Sequence, residues 1–183
     1  KGEIYAEWLT ISSIKHNLDE ATHFVGVFKD ISEKKRFDRR VAELQQKDIL
    51  TGLYNRGYFL ELVNEYVKTR KDNQQFSIIY VDIEGFKEIN NSLGHHIGDK
   101  MLIELSRRLM NFINDDYVLS RYSGDEFAIL CKFIVEEKCM KNIAERLLEN
   151  ISQPFIIENT VLNVKVSIGI SRFPGDGKDA ETL

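Results

Sequence analysis

Residues 76–83, Phe76-Ser77-Ile78-Ile79-Tyr80-Val81-Asp82-Ile83, carry apolar side chains at both parities and so read as a β-strand buried on both faces. Such a strand sits in the middle of a sheet, and the rest of the chain must cover it from two sides. Three segments have the helical spacing to do so. They are 56–68 through Phe59, Leu62, Val63 and Tyr66, 98–113 through Leu102, Leu105, Leu109 and Phe112, and 136–151 through Cys139, Ile143, Leu147 and Ile151. Two hairpins supply further strands. One pairs 117–122 with 126–133 around Ser123-Gly124-Asp125, and the other pairs 153–158 with 161–170 at Glu158-Asn159. Helices interleaved with hairpins predict an α/β (α+β) layer fold, a mixed central sheet flanked by helices.

Composition narrows the function classes. The 183 residues carry a net charge of -4, which gives no basis for a nucleic-acid binder. Cys131 and Cys139 lack metal-site spacing and read as buried, reduced thiols. No apolar run approaches the ~18 residues of a membrane helix, so no direct membrane contact is expected and the location reads as cytoplasmic. Upstream, 3–12 and 22–31 read as strands that need a partner, since two strands alone do not make a stable domain. Asp30 or Ser32 would then cap a helix running to about Lys47, with Phe37, Val41 and Leu44 as a narrow seam. That seam suits either a short coiled coil between two copies or a lone surface helix.

Asp82 ends the buried strand, where a charge is costly unless paired or on a metal. It reads either as a ligand or as the cap of the segment beginning Gly85-Phe86-Lys87. Asp125-Glu126 lies in or just after a hairpin turn, where Gly-Asp is also ordinary turn chemistry. If that hairpin pairs beside the Asp82 strand, three carboxylates converge. Hard oxygen ligands of this kind suit Mg²⁺ held together with substrate phosphates.

Four stretches resemble the GGDEF family in its own order. Asp48-Ile49-Leu50-Thr51-Gly52-Leu53-Tyr54-Asn55-Arg56 is similar to DxLTGLxNR. Asp82 through Asn90, with Gly94-His95 and Gly98-Asp99, is similar to D-[IL]-D-x-F-K-x-[IV]-N…GHxxGD. Arg121 through Phe127 is similar to R-[FY]-GGDEF, and Val166-Ser167-Ile168-Gly169-Ile170 to a late strand. Asp30-Ile31-Ser32-Glu33-Lys34-Lys35 resembles the end of PAS sensor domains. The resemblance divides the chain into 1–31, the last PAS strands; 32–47, a signalling helix; and 48–183, a GGDEF domain lacking its last helix and that helix's phosphate-facing lysine.

The resemblance implies a palm-like nucleotidyl-cyclase fold and a diguanylate cyclase. Two GTP molecules, one in each half of a homodimer, would give cyclic di-GMP and pyrophosphate. Asp82, Asp125 and the Ile83 carbonyl would hold Mg²⁺ or Mn²⁺. Asn90 and Asp99 would bond the guanine edge, Gly85, Phe86 and Lys87 would meet the phosphates, and Gly124 would let the nucleotide pass. Glu126 would serve either the metal or the departing proton. Departures are Ser123 for the first glycine, Glu84 for an aspartate, and Asn114 and Tyr117 where an inhibitory product site would carry Arg and Asp. Ile151 through Phe155 and Phe173 through Gly177 resemble GGDEF domains that precede EAL phosphodiesterase domains. The alternative function is therefore a GTP-binding regulator of an attached EAL domain.

Overall fold

The expected central strand is β4 (Phe76–Glu84), hydrogen-bonded on both sides in the computed structural model. The structure describes residues 7–15, 21–69, 75–132 and 137–183, in two units, 1–45 and 46–183. In the larger unit β3 (Tyr54–Asn55), β5 (Tyr117–Ser123), β6 (Glu126–Cys131), β4 and β9 (Lys165–Phe173) form a sheet in the order β3-β5-β6-β4-β9. Only the β3–β5 pair among these is parallel, so the sheet is mixed.

Strand alternation divides the core in two. Ile79, Val81, Ile83, Phe127 and Ile129 pack with α4 (His95–Phe112) and α5 (Glu137–Ile151) through Met101, Leu102, Leu105, Leu109, Leu147 and Ile151. Ile78, Ala128 and Leu130 point the other way, onto Phe59 and Val63 of α2 (Arg56–Thr69). These side chains are nearly all fully buried, and each large one contributes about 1.5–3 kcal/mol. A short helix, α3 (Phe86–Leu93), follows β4, and Gly94 separates it from α4.

The second expected hairpin is corrected. Glu158-Asn159 is indeed a turn, with Glu158 at φ 55°. It joins β7 (Phe155–Ile157) to a three-residue β8 (Thr160–Leu162), and the long strand is a separate element, β9, paired with β4. Period-two alternation runs through the Asn163-Val164 break because Val164 is itself buried in the core. The thiol expectation also needs correction: Cys131 is buried, and desolvation pushes it up to about 12, but Cys139 is exposed.

In the smaller unit β1 (Glu7–Lys15) and β2 (Ala21–Asp30) pair antiparallel, Leu9 against Phe28 and Ile11 against Gly26. Trp8, Ile11, Phe24 and Phe28 are all exposed. The Asp30 carboxylate accepts from the Ser32 N–H at 2.8 Å and so starts α1 (Ser32–Gln46), which makes Asp30 the residue that caps. Phe37 is exposed and Val41 half-buried; the Leu44 side chain and residues 1–6 and 16–20 lie outside the described residues.

Candidate active site

Strand register builds the acidic end of the sheet. Asp82 on β4 stands opposite Glu126 on β6 and Ser167 on β9. It shares the α2 face with Ile78 and Tyr80, is exposed, and lies beyond the last buried residue of that face. Two residues on, Glu84 accepts a 2.8 Å hydrogen bond from the Ser167 hydroxyl. The capping reading of Asp82 fails, because α3 starts at Gly85 in the left-handed region (φ 72°) with no side-chain cap. The first N–H groups of α3, at Phe86 and Lys87, are therefore left for a ligand or water.

The signature turn is held from outside the hairpin. Arg121 pairs with Phe127 and Ser123 with Glu126, so Tyr122 is the extra residue of a β-bulge. Gly124 takes the positive φ of 37°, while Ser123 is not among the left-handed residues. The serine at this position thus carries no backbone strain. Arg121 donates from Nε and Nη2 to the Gly124 carbonyl at 2.9 and 2.7 Å, and from Nη1 to Asp48 Oδ1 at 3.1 Å. Asp48 Oδ1 also accepts from the Thr51 amide (2.9 Å) and hydroxyl (2.7 Å). Burial pushes the Asp48 carboxyl up, but the Thr51 bonds and the Arg121 guanidinium outweigh it and hold the group below the usual carboxylate range.

The third part lies across the helices. Asn90 of α3 is half-buried, and its Oδ1 is buried with no partner. It packs on Gly98 of α4, where an added Cβ would come within 2.0 Å of that oxygen. Asp99 follows on α4 and is exposed. An unpaired buried acceptor beside a free carboxylate is what a ligand with adjacent N–H donors requires.

The expected residues therefore fall into an acidic strand end, a turn and a polar notch. Asp125 and Glu126 are half-buried, Gly85 and Lys87 exposed, Phe86 half-buried against the core, and the Ile83 side chain buried on the opposite face. The expected convergence of three carboxylates is not complete: among the described residues no group of three His, Cys, Asp or Glu side chains forms a metal cage. The donor set still fits Mg²⁺ or Mn²⁺, because Mg²⁺ takes only one or two carboxylates and completes its shell with phosphate and water. Asp48 and Arg121 entered the sequence reading only as motif letters. Their contact spans 73 residues, and no local pattern announces it.

Comparison with known proteins agrees with this geometry. The family model described as "Diguanylate cyclase, GGDEF domain" matches residues 45–183. The chain is 33% identical over 149 residues to the bifunctional diguanylate cyclase/cyclic di-GMP phosphodiesterase MucR of Pseudomonas aeruginosa, covering 81% of this chain and 22% of that protein. It is 30% identical over 154 residues to the cyclic di-GMP phosphodiesterase PdeR of Escherichia coli, covering 84% and 23%. It spans less than a quarter of either relative. Among solved structures, a sensory box/GGDEF family protein from Caulobacter crescentus superposes with a TM-score of 0.70 at 30% identity, over 75% of this chain and 90% of that one. With its palm-like mixed sheet and its four motifs in order, the chain belongs over residues 45–183 to the GGDEF domain family.

Proposed function

We propose that this domain is a diguanylate cyclase, joining two GTP molecules into cyclic di-GMP with release of pyrophosphate. The observation that carries the reading is the Asp82–Glu126 register, which sets two acids side by side at the open end of the sheet, with Asp125 in the adjoining turn. Asp82, Asp125 and the Ile83 carbonyl would hold Mg²⁺ or Mn²⁺, which when bound supplies positive charge to the phosphates. The N–H groups of Gly85 and Phe86 and the Lys87 ammonium bind the phosphate oxygens. Asn90 Oδ1 and the Asp99 carboxylate accept from the guanine N1–H and N2–H₂. Gly124, without a side chain, lets the nucleotide lie against the turn that Arg121 fixes.

One site holds one GTP, so each bond forms between two copies. The 3′-hydroxyl of one GTP attacks the α-phosphorus of the other, and the P–O bond to pyrophosphate breaks. Glu126, opposite Asp82 in the register, would take the hydroxyl proton or steady the metal. The protein's work is positioning and charge neutralisation. The α1 helix, through Phe37, Val41 and Leu44, serves as the pairing element, the 1–31 segment as the end of a PAS sensor domain, and the whole acts in the cytoplasm.

A second reading has its own support. PdeR is named as a phosphodiesterase and MucR as bifunctional. A GGDEF domain in such company can bind GTP and regulate an attached EAL domain without turnover. The deciding experiment incubates dimeric protein with GTP and Mg²⁺ and measures cyclic di-GMP. Product with GTP and none with ATP supports the cyclase; tight GTP binding without product selects the regulator.

A further inference from the structure

Arg56, the first residue of α2, takes no part in the site as described so far. It leaves β3 directly, and β3 is fixed parallel to β5 at Ser120 and Arg121, so Arg56 starts beside the strand that leads into the signature turn. Its Cζ lies over the Tyr122 ring, 5.0 Å from the centroid. The Tyr122 ring is itself wedged edge-on against Tyr80 (5.1 Å) and the fully buried Phe59 (6.2 Å). Tyr122 is also the bulged residue, which turns its ring toward α2. Glu126, the strand neighbour of Asp82, lies close enough for its charge to act on Arg56.

The guanidinium is thus seated on an aromatic platform next to the acidic strand end, yet its charge is not consumed. Among the described residues no carboxylate comes within ion-pair distance of Arg56, whereas Arg121 is fully engaged by Asp48 and the Gly124 carbonyl. The neighbourhood is electrostatically incomplete. Asp82, Asp125 and Glu126 are all acidic, and a bound triphosphate brings more negative charge than one divalent cation removes. Lys87, exposed in the first turn of α3, is the one cation already assigned to the phosphates. A preorganised planar fork is the group that meets a terminal phosphate bidentately at low entropic cost.

We infer that Arg56, seated on Tyr122, is a substrate-positioning residue that binds the β/γ-phosphate end of GTP and makes the site prefer triphosphates over monophosphates. The inference rests on the GTP reading above. Calorimetry on the whole 183-residue chain, run with Ca²⁺ in place of Mg²⁺ and with the absence of product checked afterwards, measures GTP and GMP binding separately from activity.

The unmodified chain should bind GTP more tightly than GMP. Arg56→Ala should weaken GTP by roughly ten- to a hundredfold, the loss of a charge-assisted pair, and leave GMP within about twofold. Arg56→Lys, which keeps the charge and loses the fork, should recover part of the GTP affinity. Thermal unfolding of each variant reports whether the exposed substitution has disturbed the fold. If the unmodified chain binds neither nucleotide, the GTP reading fails and takes this inference with it. If it binds GTP but Arg56→Ala changes nothing, or weakens GTP and GMP equally, the assignment to Arg56 is wrong and the GTP reading stands.

Discussion

Replacing Gly98 by alanine probes the base notch without altering any group that would touch GTP. The new Cβ would stand 2.0 Å from Asn90 Oδ1, 3.0 Å from its Cγ and 3.3 Å from Phe86 Cε2, where ordinary contact begins at 3.4 Å. The backbone of α4 cannot yield, because Met101, Leu102 and Leu105 are buried on the same helix. The movable atoms are the end of the Asn90 side chain, which must rotate away at a cost of about 0.5–1.5 kcal/mol. Against this, alanine is favoured over glycine inside a helix by about 1 kcal/mol. The two terms nearly cancel, so the melting temperature should move by only a few degrees. Binding has no such offset. The acceptor leaves the notch, and GTP affinity should fall by about 1–2 kcal/mol, or roughly 5- to 30-fold. Calorimetry with GTP and Ca²⁺ measures this, with Asn90→Ala as a companion. The two substitutions should give similar losses that do not add in the double variant. A Gly98→Ala protein that binds GTP within twofold of the parent would refute the role given to Asn90.

Asp82→Asn and Asp125→Asn should each lower turnover by orders of magnitude with the melting temperature preserved, because the charge that holds the metal is lost; parent-like product formation by either would sink the metal assignment. Asp48→Ala should destabilise the domain by about 1–3 kcal/mol, since it leaves the half-buried Arg121 without its carboxylate. The Asp48 carboxyl is held low in the folded protein, so its contribution is present above about pH 4 and disappears as pH falls through the lowered value. Acid unfolding followed by circular dichroism should accordingly show a weaker pH dependence in the alanine variant. The unmodified protein should not bind cyclic di-GMP at the 114–117 turn, where Asn114 is engaged with the Asp116 N–H at 3.0 Å. Calorimetry should show binding only after Asn114→Arg with Tyr117→Asp, and micromolar binding at that turn in the parent would overturn this.

What the sequence disclosed, and what it hid, follows from the range of the interactions. The β4 run, the helices and the Ser123–Asp125 turn are local patterns, and they stand close to where periodicity puts them. β3 is two residues long and parallel to β5, too short to have a pattern. The β8–β9 break was invisible because Val164 keeps the alternation while the chain changes sheets. At the site, the acids were legible as strand-end and turn residues. The register that makes Asp82 and Glu126 neighbours is a pairing of two distant strands. Arg56 on Tyr122 and Asp48 with Arg121 are likewise contacts across the fold, and neither residue type is unusual at its own position.

The bulge at Tyr122 has a consequence for how this signature can vary over time. In an antiparallel pair a shift of one residue carries every side chain to the opposite face. The bulge absorbs one such shift within the β5–β6 pair, so that Arg121 stands opposite Phe127 and Ser123 opposite Glu126 with Tyr122 between them. Changing a letter in the turn leaves that count alone, as serine at 123 does without a left-handed backbone. Removing or adding a residue in the two-residue Gly124-Asp125 connection would break the Ser123–Glu126 pair and force β5 to re-register against β6, which reverses the faces of its side chains. Such a motif forgives spelling and punishes miscounting, so lineages of the domain should diverge here by substitution and almost never by change of length.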